Sequence, residues 1–516
     1  MKFVQTLMQQ GYLIEPAVLK SEIINKINSV DENILTNLIL DLNPPKLISK
    51  DFILSNIEKL IEKLKINPNK KFQELVKCLS TLYLGNEKLK KVEETKKIEF
   101  RSSRGIVITE EYPTKAKKLE VIDFVHYFRN RFDFFKKLLQ DRKLEGLTSI
   151  GKLYGNRRRI SVIGLVYQKR YTKNNNLLLE IEDMTGRIRV VFNKERKELF
   201  EKAENIVLDE VIAVSGSGND EIIFANDVLF ADVGLRELKR SSEEAYAVFP
   251  ADLHVGSDKF LEKNFLKFIS WINGEIGNDK QKEIAKKIKY LFMPGDLVDS
   301  IGVYPAQEKE LLIKDVYEQY KYCANLLGKI RKDVTIILCP GNHDAVRLIE
   351  PQPKFDPEIS SPLFEMENVV ITTNPSIVNI GRTKTFNGFN ILMYHGRSVD
   401  YYMNQVDSLR IANAKLNPGL VLNFLLKKRH LAPGHSCTTI LPYDKDFLAL
   451  RTIPDVIVTG HVHRSAILNY NGILAISCAC WQAKTPYQDK LGHEPDPCKA
   501  CLLNLKTRKI NVLDFS

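Results

Sequence analysis

Five short apolar runs between positions 246 and 463 end alike, and this repetition constrains the fold more than any other feature of the chain. Tyr246 to Phe249 leads to Asp252 and His254, and Ile288 to Met293 leads to Asp296 and Asp299. Val334 to Leu338 leads to Asn342, His343 and Asp344, Asn390 to Met393 leads to His395, and Asp455 to Val458 leads to His461 and His463. Short runs of this kind, bounded by Gly or Pro, read as buried strands. They alternate with helical segments from about Ala247 onward, which is α/β organisation. Side chains just past strand ends gather on one rim of a sheet, where such proteins build their sites. Gly295, Gly341, Gly396 and Gly460 allow the sharp turns this requires.

Any one of these segments is weak. A lone loop histidine is usually a surface residue, and Gly460-His461-Val462-His463 alone could be strand alternation. Together they point to metal chemistry, and eight of the nine histidines lie between positions 254 and 493. Asp252, Asp296, Asn342, His254, His395, His461 and His463 form a mixed oxygen and nitrogen donor set. Such a set suits Mn²⁺, Fe²⁺ or Zn²⁺ better than Ca²⁺, and Mg²⁺ less well because it disfavours imidazole. Seven donors are too many for one ion, whereas two divalent ions sharing a carboxylate account for all of them.

At 516 residues the chain is too long for one core. Residues 1–85 read as a helical N-terminal domain, with apolar residues at helical spacing over Ser49 to Lys65 and again at Val76, Leu79 and Leu82. Residues 86–118 are charged and aperiodic and read as a flexible linker. Residues 119–150 read as a connecting helix whose Arg129, Arg131, Lys136 and Lys137 form a solvated outer face or one that meets phosphate. In 151–235, three strands, a short helix and two strands follow the order of an OB-fold β-barrel. Arg157 to Arg159, Lys169, Arg170, Tyr167 and Tyr171 fit a groove for single strands, with subunit docking as the other reading. The net charge of +12 favours a polyanionic partner or reflects a lysine-rich surface. No run is long enough to span a membrane, and the N-terminus does not read as a signal peptide. Eight cysteines in this length are no disulfide framework, so a reducing, cytoplasmic location is expected.

The five ligand segments resemble the calcineurin-like metallophosphoesterase superfamily, which implies a two-sheet αββα sandwich over 236–516. By motif position, the resemblance assigns Asp252, His254 and His463 to one metal and Asn342, His395 and His461 to the second, with Asp296 bridging. Mn²⁺ is the first expectation, with Mg²⁺, Fe²⁺ or Zn²⁺ as alternatives. It further assigns His343 as general acid, with Asp299 holding its imidazole, while Asp344 stabilises the turn. Two such metals would acidify a water that attacks phosphorus in line while His343 protonates the leaving oxygen.

Further segments narrow the family. Gly341 to Pro353 reads GNHDAVRLIEPQP, Arg429 to Pro433 reads RHLAP, Trp481 to Tyr487 reads WQAKTPY and His395 to Asp400 reads HGRSVD. With the barrel and helical N-terminus, these resemble the small subunits of archaeal family D DNA polymerases. That resemblance implies a 3′–5′ exonuclease that proofreads beside a large catalytic subunit, acting on single-stranded or mismatched 3′ ends of DNA. The B subunits of eukaryotic replicative polymerases are also similar but lack metal ligands, so a non-catalytic scaffold is the rival reading. A repair-type metallophosphoesterase is a third. Arg347 and Arg397 could hold a DNA phosphate or form structural ion pairs. His430, His435 and His493 read as structural or surface residues. Cys478, Cys480, Cys498 and Cys501 could bind zinc or simply be buried. Gln5, Met8 and Tyr12 are compatible with a sliding-clamp contact or with ordinary helix packing.

Overall fold

The computed structural model describes residues 2–14, 36–37, 39–42, 44–48, 56, 59, 104–112 and 118–516. The chain divides into two units, Met1–Arg104 and Gly105–Ser516. In the first, the helix Lys2–Gln9 precedes a parallel strand pair, Leu13–Ile14 with Leu47–Ile48. The strand pair adds to the helices expected there. The helices read over Ser49 to Lys65 and around Val76 to Leu82 lie almost wholly outside the described residues.

The second unit is built on two six-stranded sheets and a barrel. In one sheet, Val369–Ile371, Thr335–Cys339, Ile288–Pro294 and Tyr246–Phe249 run parallel, and Lys499–Asn504 and Ile510–Asp514 extend it antiparallel. The other orders Ala466–Tyr470, Ile473–Ser477, Val456–Thr459, Phe389–Met393, Ser376–Ile380 and Val107–Glu110. Alternation sorts the side chains. Val248, Leu291, Met293, Ile336 and Leu338 pack with Phe265, Phe268 and Tyr320 of the helices Glu262–Ile272 and Val316–Leu327. Leu392, Ile457 and Ala475 pack with Tyr402, Leu422 and Leu425 of Arg397–Gln405 and Gly419–Lys428. The opposite faces are equally dry, and Phe249 stacks on Phe292 with centroids 5.5 Å apart. Sheets buried on both faces are the natural home of continuous apolar runs.

Val107–Glu110 corrects the expected linker. These residues form an edge strand that pairs with Ser376–Ile380. A four-residue strand whose partner lies some 270 positions away leaves no periodic signal of its own.

The barrel closes as expected, in the order Arg157–Tyr171, Leu177–Asp183, Gly186–Phe192, Ile222–Leu229, Val211–Gly218, with the helix Lys197–Glu204 between its third and fourth strands in sequence. Lys169 does not face an open groove, since its ammonium donates to the carbonyls of Glu204 and Ile206. The helix Val121–Gln140 corrects a second expectation. Arg131 is 1% exposed rather than solvated. Its Nε donates to Asp446 Oδ2 at 2.6 Å, and its terminal nitrogens reach the carbonyls of Asp209 and Pro433 and the Tyr127 hydroxyl. His430 and Tyr127 also donate to Asp446, each at 2.8 Å. Helix, barrel and sandwich thus meet at one buried aspartate, with a second tie in the buried Lys428–Glu210 pair at 2.9 Å.

Candidate metal centre

Five strands of the two sheets deliver their following loops to one spot, three from the first sheet and two from the second. The strand ends are Phe249, Pro294, Cys339, Met393 and Thr459. The turns beyond them are strained. Asp252, His254, Asp296, His461 and His463 all have φ between 52° and 70°, a left-handed conformation that costs a non-glycine residue on the order of 1 kcal/mol or more. Such outliers persist where surrounding contacts over-determine them. Two glycines make room. A Cβ on Gly341 would collide with Asp296 and His395, and one on Gly460 would come within 2.5 Å of Asp252.

The side chains form three groups, the first two sharing His254: Asp252, His254 and His463; His254, Asp299 and His343; and Asp296, His395 and His461. Asp252, His254, Asp296, Asp299, His395 and His463 are buried. Backbone amides hold the carboxylates, His343 N donating to Asp296 Oδ1 at 2.8 Å and His461 N to Asp252 Oδ1 at 3.0 Å. His254 donates Nδ1–H to Asp299 at 2.8 Å, and His395 donates Nδ1–H to the Pro294 carbonyl at 2.8 Å. Nε2 of each is therefore a lone pair.

At His395 the lone pair faces other acceptors. His395 Nε2 lies 2.9 Å from Asn342 Oδ1 and 3.3 Å from Asp296 Oδ2. His254 Nε2 lies 3.7 Å from Asp296 Oδ2 and 3.0 Å from His463 Nε2, which donates to it because His463 Nδ1 accepts from the Gln488 amide. Acceptors crowded out of water repel one another unless a proton or cation sits between them. In the protein alone this demand appears as protonation at His395 and His343, whereas burial disfavours the charged forms of His254 and His463. Burial works against a charged His395, but Asp296 and Asp252 raise it to about 10. Burial likewise opposes a charged His343, yet Asp296 and Asp299 lift it to about 9. Burial and the neighbouring charge of Asp296 push the Asp252 carboxyl up despite His395. A dry pocket of oxygen and nitrogen donors that attracts positive charge fits divalent cations of the Mn²⁺, Fe²⁺ or Zn²⁺ class.

Asp299 serves two rings. It is closer to His254, and it reaches His343 through Oδ1 at 3.3 Å from Nδ1 and through its carbonyl at 3.1 Å. Gln307 Nε2 donates to Asp299 Oδ2, and Gln482 Nε2 approaches Oδ1 at 3.4 Å. Burial opposes the charged carboxylate, but the hydrogen bonds from both imidazoles hold it well below the usual range. Asp344 accepts from Gly341 N and the Tyr320 hydroxyl and so fixes the turn. Arg347 donates to the Pro351 carbonyl and the Tyr443 hydroxyl, and Arg397 to the Leu348 carbonyl, so both brace the loop beside the site. The four cysteines are buried, and no cysteine joins a metal-sized cluster among the described residues.

Several supporting side chains were not singled out by sequence. Asp400 accepts from His461 Nε2 at 2.9 Å, which leaves His461 Nδ1 as the free donor nitrogen. Gln352 donates to the Gly341 carbonyl and accepts from Asn374, whose Oδ1 receives His395 N. Gln488 places its amide 3.0 Å from His463 Nδ1. Asp400 and Gln352 do lie in HGRSVD and EPQP, so those motifs carried a signal whose physical content is second-layer support. RHLAP is explained the same way, through His430 and the Pro433 carbonyl at the Asp446 cluster.

Residues 248–465 match the calcineurin-like phosphoesterase family, and residues 160–219 match the OB-fold nucleic acid binding domain. The DNA polymerase II small subunit of Methanothermobacter thermautotrophicus is 39% identical over 399 residues, which covers 77% of this chain and 80% of that protein. The proteins of the same name from Archaeoglobus fulgidus and Pyrococcus furiosus are 37% and 35% identical, over 73% and 78% of this chain and 74% and 65% of theirs. The chain belongs to the family of archaeal DNA polymerase II small subunits, with a calcineurin-like phosphoesterase domain and an OB-fold.

Proposed function

We propose that this chain is the 3′–5′ exonuclease, or proofreading, subunit of a two-subunit replicative DNA polymerase, hydrolysing DNA phosphodiesters with two divalent ions, Mn²⁺ first. The observation that carries the reading is the complete donor set converging in a polymerase small subunit. A scaffold with no chemistry has no use for five strained ligand turns. Asp252, His254 and His463 would hold one ion, Asn342, His395 and His461 the other, with Asp296 between them. When bound, the ions would neutralise the phosphate and lower the pKa of an attacking water.

The protein's own part is positioning and proton transfer. Outside the assigned ligand set, His343 is held through Nδ1 alone, and its side chain retains 15% exposure. Asp299 fixes that ring through Nδ1, leaving Nε2 to deliver a proton to the departing 3′ oxygen. The large catalytic subunit is the partner that would present the DNA end. Among the described residues, no helix is long and apolar enough to cross a membrane.

The test is an assay of the chain with Mn²⁺ and a labelled single strand, beside His343→Ala. Stepwise loss of 3′ nucleotides is expected, slower in the variant by about 10²- to 10⁴-fold. No shortening, even with the large subunit present, sinks the nuclease reading. Equal rates sink the role given to His343.

A further inference from the structure

WQAKTPY is the motif least used by the chemistry above. Trp481 N donates to the Asp252 carbonyl, and Gln482 reaches Asp299, so the segment walls the metal centre. It ends in the helix Pro486–Lys490, set by a reciprocal Thr485–Gln488 cap. On that helix Tyr487 stacks against Tyr304, with centroids 4.7 Å apart and planes 14° from parallel. Tyr304 lies in the loop after Asp299. Its hydroxyl donates to Glu310 at 3.0 Å, and its ring meets His343 edge-on at 6.2 Å.

This pair is placed for more than packing. Tyr487 remains 39% exposed although one face rests on Tyr304, and Ile301 in the same loop is 46% exposed. Both tyrosines are anchored, Tyr304 by Glu310 and Tyr487 by a helix whose Gln488 contacts His463. A rigid, half-open aromatic surface beside the proton donor suits a flat π-system, and every nucleobase has one. The position on the flank of His343 selects which base. In 3′–5′ removal, water's oxygen forms a new bond to phosphorus as the bond from phosphorus to O3′ of the penultimate nucleoside breaks. That O3′ takes the proton from His343, and water's own proton passes to solvent. The products are a 5′-mononucleotide and a strand with a new 3′ hydroxyl.

We propose that Tyr487, seated on Tyr304, is the stacking platform for the nucleobase on the leaving-oxygen side, that of the penultimate nucleoside. The assignment rests on the exonuclease reading. It gives a physical basis for preferring frayed or mismatched ends, because a base still stacked in a duplex is not free to lie on Tyr487.

The test uses the full chain with its large subunit, Mn²⁺ and two 5′-labelled single strands. One is unmodified, and the other carries a tetrahydrofuran abasic residue in the penultimate position. The wild type should lose about tenfold or more in kcat/KM on the abasic strand, the size expected for one stacked base. Tyr487→Ala should lose a similar factor on the unmodified strand and nothing further on the abasic one, while Tyr487→Phe should behave as wild type. Equal slowing of both strands by Tyr487→Ala, or a wild type indifferent to the missing base, overturns the platform. A wild type that shortens neither strand instead overturns the nuclease reading on which the platform rests.

Discussion

The centre around Asp296 and the cluster around Asp446 are assembled from the same side chains, aspartate and histidine taken out of water, yet they finish differently. Around Asp446 every acceptor has a protein donor. Arg131, His430 and Tyr127 converge on its carboxylate with Leu448 N, and Ala432 N donates to His430 Nδ1. Burial opposes the carboxylate, but Arg131 and His430 hold it far below its ordinary range. Around Asp296, His254 and His395 turn their Nε2 lone pairs inward, and no arginine or lysine forms an ion pair with its carboxylate among the described residues. One cluster brings its own cation and is complete; the other leaves the positive charge to be supplied. Buried charge alone therefore does not mark a functional site, and an unbalanced donor count does.

The largest effect expected from breaking this comparison is at the closed cluster. Arg131→Met removes the cation and strands a buried carboxylate, a change of about 3–5 kcal/mol. Thermal unfolding should show it directly. The pH dependence gives the sign. A carboxylate held low in the fold contributes stability that is complete above its unfolded pKa of about 3.9 and is lost as pH falls through the folded value. In Arg131→Met the stranded carboxyl gains by protonation, so the gap to wild type should narrow on acidification. A variant as stable as wild type at neutral pH would show that Arg131 is not the counter-charge.

On the two-metal reading proposed above, the open centre takes its cation from solution, so stability there should depend on metal. Mn²⁺ at about 100 to 1,000 times its dissociation constant should stabilise the chain by about 2.7–4.1 kcal/mol, reversed by chelator. Asp296→Asn should abolish the shift, because the central carboxylate is lost, while Arg131→Met should keep it. An unchanged Mn²⁺ shift in Asp296→Asn would remove Asp296 from the ligand set.

Much of this contrast was legible in residue order, and its omissions have a common cause. The five strands that lead into the site and the strands of the barrel announced themselves because each is a local run, and each candidate ligand follows its strand directly. Arg131 was read as solvated because its partner Asp446 lies 315 positions away. Val107–Glu110 was read as linker for the same reason. The left-handed turns at Asp252, His254, Asp296, His461 and His463 were not foreseen, since aspartate and histidine adopt positive φ more often than most residues but still only in a small minority of cases. Local periodicity finds elements, whereas long-range pairing decides which polar residues are satisfied.

Asp400 sharpens the comparison with the smallest effect. It does for His461 what Asp446 does for His430, accepting from Nε2 at a similar distance, 2.9 against 2.8 Å. The second nitrogen separates them. His430 Nδ1 is occupied by a backbone amide, whereas His461 Nδ1 stays open toward Asp296 and His395. Burial opposes the Asp400 carboxylate, but His461 keeps it below its usual range, so it is charged and fixes the tautomer that presents Nδ1. Asp400→Asn keeps the shape and removes the charge. It should weaken Mn²⁺ binding by about 10- to 100-fold in calorimetric titration while unfolding without metal hardly changes. An unaltered affinity would mean that His461 is oriented by packing alone, and a loss of metal-free stability would place Asp400 with Asp446 as a purely structural carboxylate.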